Sequence, residues 1–181
     1  MNDSERLFAS VIAGRVGVIT VAPDGTISDG VAEGLTVLSG AFNPLHQGHE
    51  GMLTAAMGIT GTAGAFELSI VNVDKPELPE EEVRERISQF SGSYTALISR
   101  APTFLEKSRI MPGASFVIGY DTAVRLFDDR YYPAYQQDTD PENTGSATLA
   151  AMSEIRRNDC GFIVARRVTE DGFKTVQDLV I

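Results

Sequence analysis

The chain has one cysteine, Cys160, and no tryptophan among its 181 residues. A single thiol excludes an internal disulfide and a cysteine cluster that binds a metal. Basic residues are also few, because 15 lysines and arginines stand against 25 aspartates and glutamates, for a formal net charge of -10. This charge opposes the long-range attraction that a nucleic acid or an anionic membrane requires, so we expect neither as a partner. Any phosphate must bind where positive charge is locally concentrated.

Long apolar runs are missing too. No run approaches the length that spans a bilayer, and the first 30 residues lack the basic and apolar regions of a signal peptide. We therefore expect a cytoplasmic protein. With 43% hydrophobic residues, the chain is long enough for one domain with a full core. Nothing in the composition indicates an oligomeric state.

Residues 1–34 predict a β-hairpin. Strand-like segments over 16–21 and 26–31 flank the turn signal Pro23-Asp24-Gly25. We interpret this hairpin as an edge extension of the main sheet, with the remnant of a preceding domain as the alternative. The main domain then covers residues 35–181.

From Leu35 onward, strand-like and helix-like segments alternate, which predicts a parallel sheet with crossover helices. The predicted strands are 35–38, 66–73, 94–99, 115–119 and 161–166, and the predicted helices are 48–59, 79–90, 103–108 and 121–127. Asp121 can cap the last of these helices. We predict an α/β fold of the Rossmann-like, doubly wound type, with five parallel strands and the ligand at their carboxyl ends.

The stretch GAFNPLHQGH, residues 40–49, lies between the first of these strands and the first helix. We expect Gly40 and Gly48 to let the backbone turn tightly, and the free N–H groups of the helix to attract an anion. His46 and His49 are three residues apart, so they share one face of the first helical turn. Such a pair could also be an exposed polar face or two metal ligands, but the chain offers no third histidine for a zinc site. The context favours phosphate binding.

The same stretch resembles the first signature of the nucleotidylyltransferase superfamily, G-x-F-x-P-x-H-x-G-H. The matching positions are Gly40, Phe42, Pro44, His46, Gly48 and His49. Because of Pro44, the chain resembles the adenylyl-transferring branch more than the cytidylyl-transferring one. Within that branch it is most similar to the nicotinamide or nicotinate mononucleotide adenylyltransferases, and the resemblance covers residues 35–168.

The resemblance implies transfer of an adenylyl group from ATP to a phosphate-bearing acceptor, with release of pyrophosphate. It implies that His46 and His49 contact the ATP phosphates, and that His49 stabilises the transition state. An imidazole is readily protonated beside polyphosphate. The residues implied in nucleotide binding are Gly40, Ala41, Phe42, Asn43, Gly48, Gly119 and Asp121. Polyphosphate chemistry also implies Mg²⁺, for which we predict no ligand from the protein.

Other charged and polar residues follow the later strands. Asn72, Asp74 and Lys75 come at the end of the second predicted strand, where Asn72 and Lys75 are candidates for binding the substrate. The segment FVIGYDT, residues 116–122, resembles the G-x-D-T segment of the family near adenosine. Three basic residues after the third strand also resemble the family pattern, although any of them could be a solvated surface charge: Arg100, Lys107 and Arg109.

The carboxyl-terminal part departs from the family. The second signature, I-S-S-T-x-x-R, is missing; its nearest match, Met152 to Arg156, precedes the last predicted strand, and Arg166 or Arg167 could substitute. The alternatives that stay open are a phosphopantetheine adenylyltransferase, a cytidylyltransferase, and a nucleotide-binding module without catalysis. The tyrosine-rich segment 128–148 is either a solvated excursion, a lid over the second substrate, or a surface for a protein partner.

Overall fold

A computed structural model of the protein describes residues 2–136, 146–169 and 172–174. The helices are α1 (Asp3–Ile12), α2 (Gln47–Thr60), α3 (Glu80–Ser88), α4 (Phe104–Ile110), α5 (Tyr120–Leu126), α6 (Pro133–Gln136) and α7 (Ser146–Arg157). The strands are β1 (Val18–Val21), β2 (Ile27–Asp29), β3 (Thr36–Ser39), β4 (Gly64–Ser69), β5 (Ala96–Ser99), β6 (Ser115–Gly119), β7 (Gly161–Ala165), β8 (Arg167–Thr169) and β9 (Gly172–Lys174). Among the described helices, none combines the length and the apolar character needed to cross a membrane.

The fold is α/β, and its main sheet has seven strands in the order β2-β1-β5-β4-β3-β6-β7. Five consecutive strands in this order, β5, β4, β3, β6 and β7, are parallel to one another. Strand β1 runs antiparallel to both β5 and β2. The prediction was five parallel strands with a hairpin as an edge extension; the main sheet has seven strands, because β1 pairs with β5 and β2 pairs with β1. A separate antiparallel pair, β8 with β9, was not predicted.

The N-terminal segment begins with a helix that the sequence analysis missed. The Asn2 side chain accepts a hydrogen bond from the backbone N–H of Glu5, which satisfies one free donor at the start of α1. Phe8 and Val11, three residues apart, are buried by this helix. They pack with Ile19 of β1 and with side chains of β4 and β5 in one core cluster. Residues 2–34 thus share both the sheet and a core cluster with the following residues.

Helices cover both faces of the sheet because successive strand residues point to opposite sides. On one side, Val37 belongs to a cluster that includes Leu105 of α4 and Ile155 of α7. On the other side, Leu38 belongs to a cluster that includes Leu53 of α2. The short apolar strand β3 is buried on both faces, as expected for a central parallel strand.

One local prediction is wrong. The N-cap of α5 is Gly119, without a side-chain cap, so Asp121 lies inside the first turn of the helix instead of capping it. Segment 128–148 contains a 3₁₀ turn (Asp129–Tyr131), α6 and the beginning of α7. The central part of that predicted loop, residues 137–145, lies outside the described residues.

Candidate active site

The loop between β3 and α2 packs tightly against itself. A Cβ atom on Gly40 would lie 2.8 Å from Cε1 of Phe42, so no larger residue fits there without moving the ring. Positive φ occurs at Phe42, with φ of 47°, and not at Gly40 or Gly48. The expected reason for the two glycines, backbone freedom, is therefore wrong. Close approach of a ring explains Gly40, and it also explains Gly48, where a Cβ would lie 3.0 Å from Nδ1 of His46.

Phe42 anchors this loop in the core. Its ring is 1% exposed and meets the rings of Phe66 and Phe90 edge to face, each at a centroid distance of 5.3 Å. On its other side the same ring meets His49 edge to face at 5.2 Å. Of the predicted nucleotide contacts, Phe42 can thus contribute only its backbone, because its side chain supports the imidazole of His49.

His46 and His49 lie side by side, as the spacing predicted. Their rings are stacked, with centroids 3.7 Å apart and an angle of 18° between the planes. His46 is the N-cap of α2, and its Nδ1 accepts a hydrogen bond of 3.2 Å from the backbone N–H of Gly48. An accepting Nδ1 carries no proton, so a neutral His46 holds its proton on Nε2. The exposed His46 therefore presents a donor to the solvent.

His49 is half-buried, and its charged form is disfavoured. Its Nδ1 is enclosed and has no hydrogen-bond partner among the described residues. Burial, and secondly the neighbouring His46, lower the pKa of His49 below its ordinary value of 6.5. A proton enclosed on Nδ1 would lack an acceptor, so the favoured neutral form again has its proton on Nε2. The stacked pair therefore presents two Nε2–H donors, and His49 is held against the protonation that the sequence suggested.

Helix α3 and its C-cap residue hold the loop through two side chains that were not predicted, Arg86 and Gln89. Arg86 donates from Nη1 to the carbonyl of Ala41 at 2.8 Å, and it is paired with Glu82 through Nη2. Gln89 donates from Nε2 to the carbonyl of Phe42 at 2.9 Å and accepts from the N–H of Leu45 at 2.8 Å. Positions 82, 86 and 89 share one helical face, which is the sequence signal that could have indicated a polar contact surface.

A cleft of about 670 Å³ opens at the carboxyl ends of β3, β4 and β5. Five of the residues predicted to bind the nucleotide or the substrate line it, namely Gly40, Ala41, Asn43, Asn72 and Lys75, and so does Lys107. The described lining does not include Phe42, His46, Gly48, His49, Gly119 or Asp121. Helix α5 contributes Thr122 and Arg125 in place of Gly119 and Asp121. The structure thus brings part of the predicted site into the cleft and leaves the histidine pair beyond its lining.

The cleft lining has more basic than acidic residues, whereas the whole chain has more acidic than basic ones. Its lining contains four basic residues, Lys75, Arg86, Lys107 and Arg125, but only two acidic ones, Glu67 and Asp74. Arg86 and Lys107 are paired with Glu82 and Glu67, so the exposed Lys75 and Arg125 are the cations of the lining that can attract a phosphate.

Residues of two different loops meet across the cleft. The Asn72 side chain accepts from the N–H of Asp74 at 3.0 Å and so shapes the loop after β4. Asp74 in turn accepts from the hydroxyl of Tyr131 at 2.9 Å, which raises the pKa of Tyr131. Lys75 is exposed beside them. Tyr131 is therefore a cleft residue that the tyrosine-rich segment contains but that no spacing identified.

The three basic residues after β5 have different environments. Arg100 binds Glu77 and the carbonyl of Ile12, and Arg109 binds Glu154, so each has an acidic partner outside the cleft lining. Lys107 is only 5% exposed and contacts Glu67 inside the cleft floor. The alternative of a solvated surface charge is therefore wrong for Lys107.

The residues considered as matches or substitutes for the missing second signature lie in three places. Met152 to Arg156 belong to α7, where Ile155 is buried against the sheet. Arg166 is exposed and follows β7, which is parallel to β6, so it lies at the edge of the sheet where the strands end. Arg167 begins β8.

Across the described residues, no group of three or more histidine, cysteine, aspartate or glutamate side chains is arranged to hold a metal ion. A search of protein-family models finds none that matches the chain, and a search of curated proteins finds no significant match.

Proposed function

We propose that this protein is a cytoplasmic nucleotidylyltransferase that transfers the adenylyl group of ATP to a phosphate-bearing acceptor, nicotinamide or nicotinate mononucleotide. An oxygen of the acceptor phosphate attacks the α-phosphorus of ATP, and the bond to the β-phosphate oxygen breaks as pyrophosphate leaves. No covalent bond to the protein is needed, so the protein contributes alignment and charge stabilisation.

The observation that carries the proposal is the stacked histidine pair at the start of α2. In both rings Nε2 is the nitrogen left to donate, and the adjoining helix end adds a positive dipole, while the N–H groups of Gly48 and His49 already donate to His46. A triphosphate at this place would receive hydrogen bonds from both imidazoles. Its negative charge would also favour their protonation, against the lowered pKa of His49.

The order of the strands supports a Rossmann-like arrangement around this pair. Strand β3 lies between β4, which follows it in the chain, and β6, which comes later, so the chain reverses its direction of winding at β3 and β6. Ligands of doubly wound sheets bind at such a point. Leu38 of β3 is aligned with Val117 of β6, so Gly40 and Gly119, each two residues farther on, are neighbours at the same sheet edge. We propose the nucleotide at this edge, near Gly119 and Asp121.

The cleft supplies the proposed place for the acceptor. Lys75 and Arg125 are exposed cations in its lining, and both can attract the acceptor phosphate. Mg²⁺ would reach the site on the ATP polyphosphate, where it neutralises charge, because the described residues include no cluster of metal ligands.

Pyrophosphate release tests the proposal. The full chain is incubated with ATP, Mg²⁺ and each mononucleotide, and we expect pyrophosphate to form with at least one of them. The His49→Ala variant should lose this activity by about 100-fold or more, as expected when a donor to the reacting phosphate is removed. Thr54→Ala, an exposed position on the same helix, is the matched control and should keep it.

Three other results would decide against the proposal. Activity with CTP instead of ATP would favour a cytidylyltransferase, and activity with phosphopantetheine would identify that acceptor class. Tight ATP binding without release of pyrophosphate for any acceptor would favour the nucleotide-binding module, an alternative that the missing second signature motivates.

A further inference from the structure

A carboxylate and an ammonium group form part of the cleft floor. Glu67 of β4 and Lys107 of α4 line the cleft, and their side chains are 1% and 6% exposed. Nζ of Lys107 lies 2.7 Å from both carboxylate oxygens of Glu67. The fully buried Ser99 of β5 donates its hydroxyl to Oε1 of the same carboxylate. Three elements therefore meet at one polar cluster.

Stability alone does not account for these charges. Moving two ions out of water costs about as much free energy as their attraction returns, so apolar side chains of similar size are often at least as stable. The surroundings would accept such side chains, because Leu97, the residue aligned with Glu67 on β5, and Leu105 of α4 are buried and apolar. Both residues line the cleft, where a bound ligand can use the two charges.

The hydrogen bonds leave one donor and one acceptor unused. An ammonium group has three N–H donors, and among the described residues those of Lys107 have acceptors only on Glu67. Oε1 of Glu67 receives two hydrogen bonds, whereas Oε2 receives one, from Lys107. A carboxylate oxygen has two lone pairs, so Oε2 can accept one more. The cluster can thus satisfy a ligand group that both accepts and donates a hydrogen bond.

The charges of Glu67 and Lys107 favour a neutral ligand group over a charged one. Glu67 already neutralises Lys107, so a ligand carboxylate would gain one hydrogen bond but would lie beside the carboxylate of Glu67 in a poorly hydrated floor. A carboxamide suffers no such repulsion. The ring of Phe104, which also lines the cleft, lies with its centroid 5.9 Å from Nζ of Lys107 and gives the cluster an apolar wall.

The geometry points to a subsite, formed by Glu67 and Lys107, that binds a neutral carboxamide of the acceptor and rejects a carboxylate. This inference rests on the proposed function and deepens it, because the two mononucleotides proposed as acceptors differ in this group. The protein then uses the nicotinamide mononucleotide in preference to the nicotinate one.

Calorimetry with the full chain tests the subsite directly. Each mononucleotide is titrated into the protein, and we expect the nicotinamide form to bind about tenfold more tightly than the nicotinate form. Glu67→Gln leaves the charge of Lys107 without its counterion, so the ratio should move towards nicotinate. The double variant E67M/K107M removes both charges at similar volume and should bring the ratio close to one. Thermal unfolding checks that each variant is folded.

Lys75→Met is the control, because the exposed Lys75 attracts the phosphate that both ligands share. It should weaken both and leave their ratio unchanged. Equal binding by the wild type, a preference for nicotinate, or a ratio that neither Glu67 variant changes would overturn the subsite, while pyrophosphate release would still uphold the proposed function. If neither mononucleotide binds, the subsite and both proposed acceptors are wrong, and only transfer to another phosphate could remain.

Discussion

Replacing Gly40 tests whether the loop between β3 and α2 needs a residue without a side chain at this position. We expect Gly40→Ala to lower the free energy of unfolding by about 1–3 kcal/mol, because its new methyl group would meet the buried ring of Phe42 at 2.8 Å. Gly58→Ala is the matched control, since a Cβ at this exposed helical glycine meets nothing within 4 Å. That change should stabilise the protein by about 0.5–1 kcal/mol. Urea denaturation of both variants measures the difference, and equal effects would contradict this account of the loop.

His49 should take up a proton when ATP binds. Burial and His46 hold its pKa below 6.5 in the free protein, so the ring is neutral near pH 7. The triphosphate favours the charged form and raises this pKa, so binding draws in a proton and the affinity should rise from about pH 8 to about pH 6. Calorimetry in buffers of different ionisation enthalpy measures the uptake. It should shrink in His49→Ala and persist in Thr54→Ala, and an uptake that is the same in both would contradict the prediction.

Residue spacing predicted that the two histidines lie together, but it could not predict that His49 is half-buried with an enclosed Nδ1. The interval of three residues and the flanking glycines indicate one helical face, which the stacked rings confirm. The enclosed Nδ1 of His49 and the ring of Phe42 beside it depend on packing with β4 and α3, which come later in the chain. Lys107 was named as a candidate, but its burial against Glu67 could not be predicted for the same reason, since Glu67 is 40 residues away.

Helix α3 and its C-cap residue Gln89 support the loop between β3 and α2. Gln89→Ala removes both hydrogen bonds to the loop and leaves the N–H of Leu45 without its partner. We expect the free energy of unfolding to fall by about 1–3 kcal/mol and the affinity for ATP to fall as well, because the loop that carries the histidines is less restrained. Glu85→Ala, at an exposed position of the same helix, is the control for both measurements. An unchanged ATP affinity in Gln89→Ala would show that α3 does not position the loop for binding.

Element types were easier to predict than partners of elements. Each predicted strand from residue 35 onward overlaps an observed strand, and each predicted helix overlaps an observed helix. The spacing of apolar residues and the turn residues are local signals, so they can be read from the sequence. Helix α1 was missed, since its buried residues Phe8 and Val11 occupy too few turns to make a strong pattern. The pairing of β1 with β5 joins residues about 80 positions apart, and no local pattern specifies it.

The packing of α1 against the main sheet indicates that residues 1–34 unfold together with the rest of the chain. Phe8 of α1 is 3% exposed and packs in one cluster with Ile19 of β1, Leu68 of β4 and Ile98 of β5, while the guanidinium of Arg84 lies 3.9 Å above its ring. Removing α1 would therefore expose the face of the sheet that it covers. We expect a single cooperative transition in which the amide protons of α1 and β6 lose protection together.

Phe8→Ala tests this coupling. We expect it to lower the free energy of unfolding of the whole chain by about 3–5 kcal/mol, since it leaves a cavity between α1 and the sheet and removes the aromatic contact of Arg84. Ile59→Ala, at a side chain that is 73% exposed, should change it by less than about 0.5 kcal/mol. If amide exchange shows that Phe8→Ala destabilises α1 alone and leaves β6 as protected as before, residues 1–34 form a unit of their own, as the remnant of a preceding domain would. Loss of protection in both regions would instead mean that the N-terminal elements belong to the structure that holds the histidine-bearing loop in place.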